Sequence, residues 1–120
     1  MRILVVDDSR AMRMIVKRAL RQAGYGDHTV EEASNGKEAL RAIQASPPDL
    51  VLADWNMPEM SGIELLEALK AEGSNVKFGF VTSQATPEKK ETARQAGALF
   101  LLTKPFTPDS LKKALERVLG

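Results

Sequence analysis

No cysteine occurs among the 120 residues. That excludes disulfides, thiolate nucleophiles and cysteine-ligated metals, and it fits the reducing conditions of the cytoplasm. Histidine is reduced to His28 alone, so no histidine cluster exists to hold a transition metal. Net charge is also missing. Seventeen Lys and Arg against 16 Asp and Glu leave +1, which gives no long-range field to draw in nucleic acid. No apolar run has the length of a signal peptide or a bilayer span; the opening Ile3-Leu4-Val5-Val6 stops at once on Asp7-Asp8. Repeats, low-complexity tracts and linkers are absent, and so is the length for a second core. A chain of this size buries roughly two-thirds of its unfolded surface, enough for one stable core. The expectation is a single cytoplasmic domain over 1–120, monomeric, with neither nucleic acid nor membrane as partner.

What is present alternates. Arg2 to Val6 is a β-branched-rich run and reads as a buried strand. Ser9 caps a helix with Met12, Ile15, Val16, Ala19 and Leu20 inward, ended by Gly24 and Gly26. His28 to Ala33 is a shorter, more polar strand, expected at an edge. Asn35-Gly36 turns into a helix from Lys37 to Ala45 with Ala39, Leu40 and Ile43 inside. Pro47-Pro48 stops it before the strand Asp49 to Ala53. Ser61 and Glu64 have the spacing of a capping box, opening a helix striped by Ile63, Leu66 and Leu69. Val76 to Val81 is the fourth strand, Pro87 to Ala96 a helix with Lys89, Lys90 and Arg94 outward, and Leu99 to Thr103 the fifth strand. A last helix runs from about Pro108 to Leu119 on Leu111, Ala114, Leu115 and Val118. Five strands alternating with five helices at these connection lengths imply an α/β fold: a five-stranded parallel sheet with helices on both faces.

In such a sheet the strands end on one edge, where ligands bind. The residues closing these strands are Asp7 and Asp8, Asp54, Thr82 and Lys104. Each alone is explicable as a cap, a turn bond or a solvated charge. Four strands ending this way together are not. Three carboxylates in one crevice repel, and they share protons or bind a cation. An oxygen-only donor set suits a hard ion such as Mg²⁺. A carboxylate beside that ion, a lysine and a hydroxyl has the parts for phosphoryl transfer.

These residues, together with Trp55-Asn56-Met57-Pro58, Ser61-Gly62, Val81-Thr82-Ser83, Ala96-Gly97-Ala98 and Lys104-Pro105-Phe106, resemble a response-regulator receiver domain. The likeness is to the stand-alone chemotaxis type, the CheY type, and it covers the whole chain. It implies a flavodoxin-like (βα)5 fold with strand order 2-1-3-4-5 and a cis Lys104-Pro105 peptide. It implies that Asp54 accepts a phosphoryl group from a histidine kinase with Mg²⁺ as cofactor. Asp8 is then a direct metal ligand, Asp7 one acting through water, and Asn56 the residue lending its backbone carbonyl. Thr82 is the switch hydroxyl and Lys104 the phosphate's partner. The fourth helix, fifth strand and fifth helix form the face for an output protein, a flagellar motor switch if the pathway is chemotaxis.

Two positions bear on function by what they lack. The family's aromatic switch residue, three before the lysine, is Leu101 here; Phe100 faces the other side of the strand. A phosphorelay shuttle or adaptor role is therefore the alternative within the family. Asn56 stands where a Mg²⁺-dependent aspartyl-phosphate phosphatase has its second acid, which favours a switch over a turnover enzyme. A flavodoxin-like cofactor carrier needs a Gly/Ser/Thr-rich phosphate loop after the first strand, where Asp7-Asp8 would repel phosphate. Trp55 is expected as a lid on the site, Asn56 and Gln84 as its borders, and His28 as a surface or loop residue.

Overall fold

Apart from the polar second one, each strand is short, apolar and closed by a polar residue, and every strand is followed by a segment with helical periodicity, so consecutive strands join by crossovers. The computed structural model describes residues 1–119 and contains β1 (Arg2–Val6), α1 (Arg10–Leu20), β2 (Thr29–Ala33), α2 (Gly36–Ala45), β3 (Leu50–Ala53), α3 (Gly62–Ala71), β4 (Lys77–Thr82), α4 (Pro87–Ala96), β5 (Phe100–Thr103) and α5 (Pro108–Leu119). All five strands pair in parallel in the order β2-β1-β3-β4-β5. The polar strand β2 lies at an edge, as its composition predicts. Gly120 lies outside the described residues.

Alternation along the strands divides the core in two. Leu4, Val6, Val51, Ala53, Phe78 and Phe80 face Ala39 and Ile43 of α2, Leu65, Leu66 and Leu69 of α3, and Ala93 of α4. Ile3, Val5, Leu50, Leu52 and Val81 face Val16, Ala19 and Leu20 of α1 and Leu111 and Leu115 of α5. Leu101 packs into the first cluster and Phe100 into the second, so the two do face opposite sides of β5.

Local signals set the helix ends. Ser9, Asn35, Ser61 and Thr86 each accept the backbone N–H three residues on, and Ser61 with Glu64 completes the capping box. Three details differ from what the spacing predicts. Ile15 is 51% exposed, because the buried stripe of α1 is Val16, Ala19, Leu20 and, one turn further, Ala23; Ile15 sits about 100° away from it. Leu65 is buried beside Leu66 where only the latter was expected, since α3 packs between neighbours on both sides. Past Leu20 the helix continues as a π-helical turn, Arg21–Tyr25, and breaks at Gly24, whose φ of 100° suits glycine.

Candidate functional site

Register builds the site. Val6 of β1 pairs with Ala53 of β3, so the next residues, Asp7 and Asp54, leave the sheet side by side. The Asp54 N–H donates to the Val6 carbonyl at 3.0 Å, and the Asp7 N–H to the Ala33 carbonyl at 3.1 Å. On the other side Thr82 of β4 pairs with Thr103 of β5, and the Lys104 N–H donates to the Thr82 carbonyl at 2.8 Å. The carboxylates of Asp7, Asp8 and Asp54 offer oxygens that all lie within 4.8 Å of one another. Asp7 is buried, Asp54 half-buried and Asp8 exposed. The edge therefore has a buried acid at its base and a free one at its mouth.

Lys104 ties the acids together. Its Nζ donates to Asp7 Oδ2 at 2.9 Å and to Asp54 Oδ2 at 3.2 Å. Burial alone pushes the ammonium's pKa down; the Asp7 hydrogen bond and the charges of Asp54 and Asp7 outweigh it and hold the pKa above its ordinary value. The remaining oxygens are engaged by backbone: Asp7 Oδ1 accepts the Ser9 N–H at 2.9 Å, and Asp54 Oδ1 accepts the Trp55 N–H at 2.6 Å. Lys104–Pro105 is the cis peptide the resemblance implies.

The other sequence candidates are placed as follows. Thr82 is buried at the end of β4, where its Oγ1 accepts the Gln84 N–H at 3.3 Å. Among the described residues it makes no hydrogen bond to Asp54, and its own proton remains free to donate. Asn56 is exposed, two residues past Asp54. His28 precedes β2, half-buried and stacked near Tyr25 at a ring separation of 5.7 Å, away from the acids. Trp55 corrects the expected lid. It is 9% exposed and belongs to the core, its ring 4.8 Å from that of Phe80, because strand alternation turns the residue after Asp54 inward.

Two residues of the site are not visible from spacing alone. Arg13 donates to the Asp7 carbonyl at 2.5 Å and to Glu32 at 2.9 Å, fixing the turn that carries Asp7 and Asp8. Nothing in its place along α1 marks it. Lys89, expected among outward charges, is half-buried: its Nζ donates to Gln84 Oε1 at 2.6 Å and lies 5.5 Å from the Trp55 ring centre. Lys90 and Arg94 are exposed as expected.

Three carboxylate oxygens converging without nitrogen or sulfur donors fit a hard divalent cation. A second positive group, Lys104, already bridges two of them. The arrangement can hold an anion bonded to Asp54 between two cations, which is chemistry suited to a phosphoryl group.

The family model for the response regulator receiver domain matches residues 3–116. Among curated proteins, chemotaxis protein CheY1 of Helicobacter pylori is 42% identical over 123 residues, covering 100% of this chain and 98% of its own. A chemotaxis protein CheY homolog of Campylobacter jejuni is also 42% identical, with 93% of that protein covered. Among solved structures, chemotaxis protein CheY4 of Vibrio cholerae superposes with a TM-score of 0.85 at 38% identity, covering 98% and 97% of the two chains. The receiver domain of the putative response regulator NarL of Mycobacterium tuberculosis gives 0.87 at 32% identity, covering 97% and 93%.

Proposed function

The chain belongs to the response regulator receiver family, and on that premise we propose that it is a phosphorylation switch whose acceptor is Asp54. The observation that carries this is the Lys104 bridge to Asp7 and Asp54, with Asp8 completing an oxygen triad on the same sheet edge.

An oxygen of Asp54 forms the new O–P bond as the P–N bond to a kinase phosphohistidine breaks, and that bond's electron pair stays with the departing imidazole. Asp7, Asp8 and Asp54, with the Asn56 backbone carbonyl, would hold Mg²⁺, which when bound neutralises phosphoryl oxygens. Lys104 exchanges a carboxylate partner for a phosphoryl oxygen, and the free Thr82 proton is donated to another. The product carries close to two negative charges where Asp54 carried one, so the groups that face it must rearrange.

Asn56 supplies no acid–base group for rapid turnover, which supports a switch over a phosphatase. The full-length likeness to proteins named for chemotaxis supports a cytoplasmic chemotaxis role, with α4, β5 and α5 presented to an output protein such as a flagellar motor switch. Leu101, half-buried against α4, is the observation that keeps a phosphorelay shuttle or adaptor as the second reading. Capture by a flagellar switch peptide only in the phosphorylated state separates the two.

The test of the chemistry is intact mass after incubation with acetyl phosphate and Mg²⁺. Wild type gains one phosphoryl group and Asp54→Ala gains none. Phosphorylation of the variant, or sustained hydrolysis of a generic phosphate ester by wild type, overturns the reading.

A further inference from the structure

The geometry points to Lys89 as a second phosphoryl-sensing cation, one that couples the site to α4 without any aromatic residue at position 101. This rests on Asp54 being the phospho-acceptor. Lys89 lies in the first turn of α4, and its ammonium reaches back over the loop between β4 and α4. It makes two contacts, one to the loop after β4 and one to the loop after β3. Its Nζ donates to Gln84 Oε1 at 2.6 Å, and the Gln84 N–H in turn donates to Thr82 Oγ1 at 3.3 Å. It also lies 5.5 Å from the ring centre of Trp55, a residue whose backbone N–H donates to Asp54 Oδ1 at 2.6 Å.

Position distinguishes Lys89 from exposed Lys90, which is equally without an ion pair: only Lys89 is half-buried over the loop. Glu32 pairs with Lys17 and Arg13, Glu91 with Arg94, and Lys104 with two aspartates. Among the described residues Lys89 has no carboxylate within ion-pair distance; a neutral amide and an aromatic face are what it has. Neither contact neutralises its charge. A dianion forming on Asp54 offers what those neutral partners do not, an opposite charge, at the modest strength of a partly exposed pair. Lys89 is therefore held in waiting, and it moves toward the phosphoryl group when one appears. Thr82 moving inward draws the Gln84 backbone with it, which carries the Lys89 partner in the same direction. Both displacements act on the first turn of α4. Leu101 is not in the path.

The single tryptophan makes this testable by emission. Beryllofluoride, a tetrahedral phosphoryl mimic, is titrated in saturating Mg²⁺ into wild type, Lys89→Met and Lys89→Arg. Lys89→Met weakens beryllofluoride binding by about three- to fivefold, the worth of one partly exposed charge pair. Lys89→Arg, which keeps the charge, stays within about twofold of wild type. Mg²⁺ alone binds Lys89→Met as tightly as wild type or more so, because a nearby cation has gone. Amide exchange over residues 87–96 responds to beryllofluoride in wild type and not in Lys89→Met. Equal beryllofluoride affinity in Lys89→Met and wild type overturns the inference, and so does parallel weakening of Mg²⁺ and beryllofluoride, which marks structural damage. A wild type that does not bind beryllofluoride removes the acceptor reading itself.

Discussion

A methyl group placed on Gly62 would collide with the carbonyl oxygen of Asp54 and lie 2.9 Å from the Phe80 ring. Gly62 also donates its N–H to the Trp55 carbonyl at 2.8 Å, so it holds the loop after β3 against the start of α3. The position needs glycine for space, not for backbone freedom. Overpacking of this kind costs about 1–3 kcal/mol. Gly62→Ala is expected to lower the urea midpoint accordingly and to move Asp54 out of line with Asp7. The second effect shows as a loss of acetyl-phosphate labelling in protein that is still folded; full labelling would mean that the loop accommodates the methyl group. At this scale the sequence is legible for residues that close strands, because a charge at the end of an apolar run is costly unless partners meet it there. It misleads for Trp55, where proximity to Asp54 suggests a lid and strand alternation sends the ring into the core. Lys89 misleads the other way: the surface of α4 is mostly charged, and only the loop's path brings this one ammonium onto Trp55.

Elements show where periodicity is sufficient and where it is not. The apolar stripes of α2 and α5, the box that opens α3 and the edge placement of β2 follow from spacing and composition. The direction of α1 does not, since Met12, Ile15 and Val16 satisfy a helical pattern and contact with α5 selects Val16. The outer face of α1 then has a specific attachment. Arg13 and Lys17, one turn apart, both reach Glu32 on β2, at 2.9 and 3.2 Å. The Arg13 hydrogen bond, with Lys17's added, holds the Glu32 carboxyl below the usual range. A depressed acid stabilises the fold above its ordinary pKa, about 4.3, and loses that contribution as pH falls through the lowered value. Glu32→Gln is therefore expected to be less stable than wild type at pH 7 by under about 1 kcal/mol, since the carboxyl is 34% exposed and partly screened. The gap closes on acidification, as pH falls through the lowered value. Urea midpoints of both proteins at pH 7 and pH 3 check it, and a gap that is constant with pH would assign the loss to packing. Because Arg13 also holds the Asp7 carbonyl, this tie joins the edge strand to the acidic cluster.

Across the whole molecule, one sheet edge concentrates charge that the balanced composition conceals. Asp7, Asp8 and Asp54 share a space bridged by one lysine, and a carboxylate surplus there opposes folding. Whatever cation relieves that surplus must bind the folded chain in preference to the unfolded one, where Asp54 is far from Asp7 and Asp8. Mg²⁺ is thus expected to stabilise the protein by RT ln(1 + [Mg²⁺]/Kd), about 1.4 kcal/mol at ten times Kd. For a domain of this size that raises the melting temperature by about 5 °C. Asp8 separates this effect from ordinary stability, because it is exposed and outside the Lys104 bridge. Asp8→Asn without metal should melt at or slightly above the wild-type temperature, as one like charge is removed. With Mg²⁺ it should show little of the increment. Asp7→Asn is a different case, since it strips a hydrogen bond from half-buried Lys104 and lowers stability with or without metal. Melting scans of the three proteins with Mg²⁺ and with a chelator decide it. If Mg²⁺ leaves the wild type unmoved, or raises Asp8→Asn as much, the oxygen triad is not the metal site and Lys104 alone balances the acids.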